Sequence, residues 1–226
     1  MYGIANLDQG SFASAAIWKE DFIFHIPDSI QSKHAAPLMC GGSTVFNALR
    51  LHRVSSTDRV GVIGVGGLGH LAIQFASKWG CEVVVFSSTR EKEAEAKSLG
   101  AKEFYSTKGV TKLEIGSLLD HLLVTSNTLP DWEMFLPLLA PGATIYPITV
   151  SQDKISLPAM GVLIEGLKLQ GTMIAARQIH REMLEFAAFH KIVPKVEEFP
   201  LTAAGATSAL EKLLNGKMRY RGVLVA

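Results

Sequence analysis

Val60-Gly-Val-Ile-Gly-Val-Gly-Gly-Leu-Gly-His70 decides the fold. Val60, Val62, Ile63 and Val65 are a β-branched run of the kind a parallel strand carries when both its faces are buried. Past the turn, Leu68, Leu71, Ala72, Phe75, Ala76 and Trp79 recur at steps of three and four residues, the stripe of a helix lying on a sheet. Between them, Gly64, Gly66 and Gly69 fit G-x-G-x-x-G, a weak pattern alone and a stronger one when a strand enters it and a helix leaves it. Gly64 permits the tight turn, Gly66 lacks the Cβ that would block a pyrophosphate, and Gly69 lets helix and strand approach closely. The helix start adds unpaired N–H groups and a positive dipole end. Glycine turns of this shape also occur without a ligand, but flanks this regular favour a dinucleotide.

The second strand, Glu82-Val-Val-Val-Phe86, bears on which dinucleotide. An NAD-selective site carries Asp or Glu at the end of this strand to accept from the ribose 2′-hydroxyl. Here the chain reads Ser87-Ser-Thr-Arg-Glu-Lys92, hydroxyls and two cations where a 2′-phosphate would sit, which favours NADP(H). The same residues also suit a helix cap followed by a solvated face, and Glu91 opposes an anion.

The 226 residues are enough for one large domain or one domain with part of a second. With 48% hydrophobic and 19% charged residues and a net charge of +1, nothing in the composition points to nucleic acid or an anionic membrane. Cys40 and Cys81 form no disulfide framework and suit a reducing compartment. The first residues lack the basic and apolar regions of a signal peptide, and the most apolar stretch, 60 to 76, is too glycine-rich and polar to span a membrane. A cytoplasmic protein is the expectation.

Along the chain, residues 11 to 27 alternate loosely and predict one or two short strands. A helix follows over 35 to 51. Strand and helix units come next: strand 60 to 65 with helix 69 to 79, strand 82 to 86 with helix 91 to 99, and a short strand near Phe104. Further on are a strand at 122 to 124, a helix at 131 to 140, and strands at 143 to 148 and near 167 to 170. This alternation is that of an α/β protein, a doubly wound parallel sheet covered on both faces. After it come an amphipathic helix at 181 to 189, a strand at 195 to 199, a helix at 206 to 214 and a strand at 220 to 226. No repeat or low-complexity segment interrupts the series.

The run Ala36-Pro-Leu-Met-Cys-Gly-Gly-Ser-Thr-Val-Phe46, followed by Gly64-Val-Gly-Gly-Leu-Gly-His-Leu-Ala72, resembles the zinc-type alcohol dehydrogenases of the medium-chain dehydrogenase/reductase superfamily, in particular the NADP-dependent cinnamyl-alcohol-dehydrogenase-like branch. Gly10-Ser-Phe-Ala-Ser14, Phe24-His-Ile-Pro-Asp28, Leu99-Gly-Ala101, Gly171-Thr-Met-Ile-Ala-Ala-Arg177 and Met218-Arg-Tyr-Arg221 extend the match to the C-terminus. The resemblance implies a Rossmann domain over 36–178, with a remnant of a GroES-like β catalytic domain at 1–35 and a return to that remnant at 179–226. It also implies that most of the catalytic domain has no counterpart in this chain.

By this resemblance, Thr44 lies by the nicotinamide ribose or phosphate, and Gly64, Gly66, Gly67, Leu68 and Gly69 hold the pyrophosphate. Ser87, Ser88, Thr89 and Lys92 surround the adenosine 2′-phosphate, Thr125 and Ser126 line the adenine or ribose side, and Arg219 is a cofactor-side arginine. Segments 147 to 150 and 171 to 172 match loops near the nicotinamide. Cys40 takes the position of the family's last catalytic zinc ligand. A catalytic zinc needs three protein ligands and an open position, and the partners of Cys40 have no counterpart upstream. None of His25, His34, His52, His70, His121, His180 and His190 forms a ligand-spaced cluster with it, and His70 suits a packing or capping role. Zinc is therefore doubtful.

The expected function is an NADP(H)-dependent alcohol dehydrogenase or aldehyde reductase acting on a small alcohol or aldehyde. The alternatives are an NADP(H)-binding pseudoenzyme or interaction protein, and a zinc-free reductase. Strands flanking the core near 11 to 26 and 195 to 226 would leave exposed edges, and a homodimer through the sheet edge near 145 to 172 is expected.

Overall fold

The computed structural model describes residues 10–226, so the reading of the first nine residues lies outside it. Six parallel strands form the main sheet: β1 (Arg59–Ile63), β2 (Glu82–Ser87), β3 (Glu103–Ser106), β4 (Leu119–Val124), β5 (Leu139–Pro147) and β6 (Lys168–Leu169). Their spatial order is β3-β2-β1-β4-β5-β6, and every pairing is parallel. This is the doubly wound Rossmann order, with its crevice at the carboxyl ends of β1 and β4, where the direction of winding reverses.

The strand residues divide by parity, because successive side chains point to opposite faces. Val60, Val62, Val83, Val85, Leu123 and Tyr146 join one core with α2 (Ser43–Leu51), α3 (Gly69–Trp79) and α7 (Arg177–His190). Val84, Phe86, Leu122, Val124 and Ile145 face the other core with Trp132 and Phe135 of α5 (Trp132–Phe135). Helix α3 has the span its apolar stripe predicts, and it ends on Gly80, left-handed at φ 105°, a conformation glycine adopts without a Cβ penalty.

Beyond the core, α8 (Ala203–Leu214) connects β7 (Val196–Pro200) to β8 (Arg221–Val225), which pair in parallel as a separate two-stranded sheet. These elements agree with the sequence reading.

Several expectations are corrected. Residues 11 to 27 form no strand; the only regular element there is a 3-10 turn at Glu20–Phe22. No described strand lies alongside to pair with them. Phe24 instead stacks on the His180 ring at 4.9 Å, with the Arg177 guanidinium 5.6 Å from its centre. The helix expected from 35 begins earlier, as α1 (Ser32–Pro37), and passes through a π-helical turn at Leu38–Gly42 before α2. The helix expected over 91 to 99 is a 3-10 turn followed by α4 (Glu93–Ser98). The helix expected over 131 to 140 is cut short: a 3-10 turn at Leu136–Leu138, with Pro137 inside it, follows α5, and β5 has begun by Leu139. Finally, α6 (Ala159–Glu165) was not anticipated, because Met160, Leu163 and Ile164 are all exposed and trace no buried stripe.

Candidate functional site

The glycine turn lies between two cavities at the carboxyl end of the sheet. The first, of about 420 Å³, is lined by residues 63 to 66, Ser87, Ser88, Lys92, Thr107 and the loop from Thr125 to Asp131, with Phe86, Met134 and Phe135 on its apolar side. The second, of about 1000 Å³, takes in Gly67, Leu68, Cys40, Thr44, Tyr220 and Arg221, together with the loops at 147 to 151 and 171 to 174. Thr125, Ser126 and Asn127 line both, so the two lie side by side at the turn.

The three glycines hold distinct stations. Gly64 is left-handed at φ 93°, and a Cβ there would come within 3.0 Å of the Ser126 backbone. At Gly69 a Cβ would fall 1.8 Å from the Gly64 carbonyl oxygen, so helix and strand meet at a distance only glycine allows. A Cβ at Gly66 would meet nothing within 4 Å. Gly66 lines the first cavity, where a bound group has room to approach the backbone. Thr125 Oγ1 reinforces the turn by hydrogen bonds to Ile63 O and Gly64 O at 2.8 and 3.0 Å.

At the end of β2, buried Ser87 and neighbouring Ser88 face the first cavity with Lys92, whose Nζ donates to Val65 O at 2.7 Å. Burial lowers the Lys92 pKa, as does the Arg219 charge, while Glu95 and Glu91 oppose both. Of the two cations in this stretch only Lys92 lines the cavity; Arg90 is 82% exposed and lies 3.9 Å from Glu93. Thr89 precedes the 3-10 turn, makes no side-chain cap, and does not line the cavity.

Around the second cavity, Thr44 Oγ1 donates to Cys40 O at 2.8 Å and accepts from Ile174 N at 3.0 Å. Asn47 Nδ2 donates to Thr172 Oγ1 at 2.9 Å. Together they tie the loop at 171 to 174 to α2. Arg219 is turned away: its guanidinium bonds Glu95 at 2.6 Å and lines neither cavity. Arg221 occupies the cavity wall instead, its Nε donating to Gly67 O at 3.0 Å, and burial lowers its pKa.

Sequence reasoning missed Arg221 and Asn127 as cavity residues. The Met218-Arg-Tyr-Arg221 run could not choose between its two arginines: they stand two residues apart, a spacing that strand alternation puts on one face, and Arg219 lies before β8 whereas Arg221 opens it. For Asn127 no sequence signal existed.

Cys40 lies on the π-helical turn, exposed at the second cavity. Among the described residues no three His, Cys, Asp or Glu side chains come together as a metal site. The donors present here do not fit a catalytic zinc.

Fold and site geometry define a Rossmann-type protein of the doubly wound class. Residues 67–188 match the family model described as zinc-binding dehydrogenase, and the chain belongs to that family. It is 33% identical over 216 residues to the aldehyde reductase AdhA of Synechocystis sp., covering 95% of this chain and 64% of that protein. Among solved structures it is similar to a cinnamyl alcohol dehydrogenase from Sorghum bicolor, with a TM-score of 0.81 and 28% identity, covering 91% of this chain and 58% of that one. A second likeness is to the cinnamyl alcohol dehydrogenase of Helicobacter pylori in complex with NADP(H), at a TM-score of 0.74 and 28% identity over 84% of this chain and 54% of the other. The chain thus spans less than two thirds of the length of these relatives.

Proposed function

We propose that this chain binds NADP(H) across the two cavities and belongs to an oxidoreductase that interconverts an aldehyde and an alcohol. The observation that carries the reading is the glycine turn standing between two adjacent cavities, one with Ser87, Ser88 and Lys92 and the other with Thr44 and Arg221. A dinucleotide has that shape: two nucleosides joined by a diphosphate, which requires backbone N–H groups and cations at its middle. The 2′-phosphate would sit on Ser87, Ser88 and Lys92, and the diphosphate on residues 64 to 69 beside Arg221. The adenosine would face Thr125 and Ser126, and the nicotinamide end would face Thr44. Arg219, paired with Glu95, has no part in this assignment. The relatives' printed activities, aldehyde reductase and cinnamyl alcohol dehydrogenase, support the substrate class.

In this reading residues 36–178 are the cofactor domain, and residues 179–226 return toward the substrate side. The protein's own residues would bind and orient the cofactor and shield its reactive face with the loop at 171 to 174. No step is derived through zinc, because the described residues do not fit it. That same observation favours a second reading, an NADP(H)-binding protein without turnover.

Oxidation of NADPH followed by absorbance with aromatic and aliphatic aldehydes, with and without added zinc, separates the two. Turnover supports the reductase, whereas cofactor binding by the folded chain without turnover supports the binding protein. Lys92→Ala should weaken NADPH by about tenfold or more and leave NADH nearly unchanged, as expected for loss of a charge-assisted phosphate contact. Equal weakening of both cofactors would contradict the 2′-phosphate assignment.

A further inference from the structure

His70 is wholly buried at the start of α3, and its two ring nitrogens have different partners. Nε2 faces the backbone N–H of Lys195 at 3.1 Å, and Nδ1 faces Gly66 O at 2.8 Å. A backbone amide only donates, so Nε2 must accept, and the ring proton sits on Nδ1 and is donated to Gly66 O. Burial pushes the His70 pKa down to about 4, which keeps this neutral form at ordinary pH. The Gly66 carbonyl shares a rigid peptide plane with the Gly67 N–H, so holding the oxygen also aims the N–H.

The His70 ring stacks on Tyr220 at 5.0 Å and 28°. Lys92 Nζ lies 5.3 Å from the centre of the Tyr220 ring while donating to Val65 O, within the range of an ammonium attracted by an aromatic face. The Tyr220 hydroxyl donates to Glu95, which also pairs with Lys195 and Arg219. The C-terminal return therefore reaches both phosphate-facing parts of the site without lining the first cavity.

We propose that His70 and Tyr220 are separate positioning residues, His70 aiming the glycine turn at the diphosphate and Tyr220 holding Lys92 toward the 2′-phosphate, so that Tyr220 sets the preference for NADPH over NADH. This rests on the NADP(H) reading above.

The test titrates NADPH and NADH into the full chain and four variants, each checked for folding by circular dichroism. His70→Gln keeps an acceptor for Lys195 and loses the donor to Gly66; it should weaken both cofactors about tenfold with their ratio unchanged. His70→Asn, which keeps a donor near the Nδ1 position, should recover most of that loss. Tyr220→Leu should lower the ratio of NADPH to NADH affinity about tenfold. Tyr220→Phe, which keeps the ring, should hold the preference. If Tyr220→Leu does not fold, Tyr220→Met is measured in its place with the same expectation. An unchanged ratio in the folded Tyr220 variant overturns the role of Tyr220, and unchanged affinities in His70→Gln overturn that of His70. An unmodified chain that binds neither cofactor overturns both the inference and the reading beneath it, whereas a preference intact in every variant together with unchanged affinities in His70→Gln overturns the inference alone.

Discussion

Gly66 and Gly69 stand three residues apart in one motif and do different work. Gly69→Ala would drive a Cβ to 1.8 Å from Gly64 O, so it should cost stability whether or not cofactor is present. Gly66→Ala has free space around its Cβ and should leave the thermal midpoint of the free chain nearly unchanged while weakening NADPH. Thermal unfolding with and without NADPH checks both, and equal destabilisation of the free chain by the two would contradict the assignment. Arg221→Gln should weaken NADPH and NADH alike, by about tenfold for a lost charge-assisted bond, and Arg219→Gln should change neither more than about twofold. The glycines were legible because their spacing is a local property. Arg221 reaches Gly67 from the far end of the chain, and only the folded contacts, Arg221 to Gly67 and Arg219 to Glu95, show which of the two arginines faces the cavity.

At the scale of elements, α3 links the site to the C-terminal return through His70. Burial holds its folded pKa at about 4, below the ordinary histidine value of 6.5. Between those values the unfolded chain takes up a proton that the folded chain excludes, so stability is full above about pH 6.5 and falls as pH drops toward 4. The effect amounts to about 3 kcal/mol at most. Urea unfolding across that range should show the decline, with a shallower one in His70→Gln; equal slopes would remove His70 as its source. Elements with a buried stripe or a paired strand, such as α3 and β1, β2 and β4, could be read from periodicity because one face is buried. Residues 11 to 27 misled because alternation marks a strand only where a partner exists, and here Phe24 packs on a histidine ring instead. Helix α6 escaped because its apolar residues are exposed.

For the whole molecule, those exposed residues gather at one edge of the sheet. Among the described residues strand β6 pairs only with β5, and nearby Met160, Leu163, Ile164 and Leu169 are 65%, 73%, 72% and 49% exposed. An open edge with an apolar flank favours pairing with another chain. We expect sedimentation at micromolar concentration to give a dimer that Leu163→Asp with Ile164→Asp dissociates; a clean monomer of the unmodified chain would contradict this. Among the described residues no helix is long and apolar enough to cross a membrane. The doubly wound parallel sheet followed from the strand and helix alternation, whereas the two adjacent cavities about the turn did not, since they depend on how the loop at Thr125 to Asn127 folds against both. That adjacency is the basis for a dinucleotide. Isothermal titration of the purified chain with NADPH and with NADH tests it most directly. The account predicts one NADPH per chain, bound at least about tenfold more tightly than NADH; a folded chain that binds neither, or that prefers NADH, would contradict it.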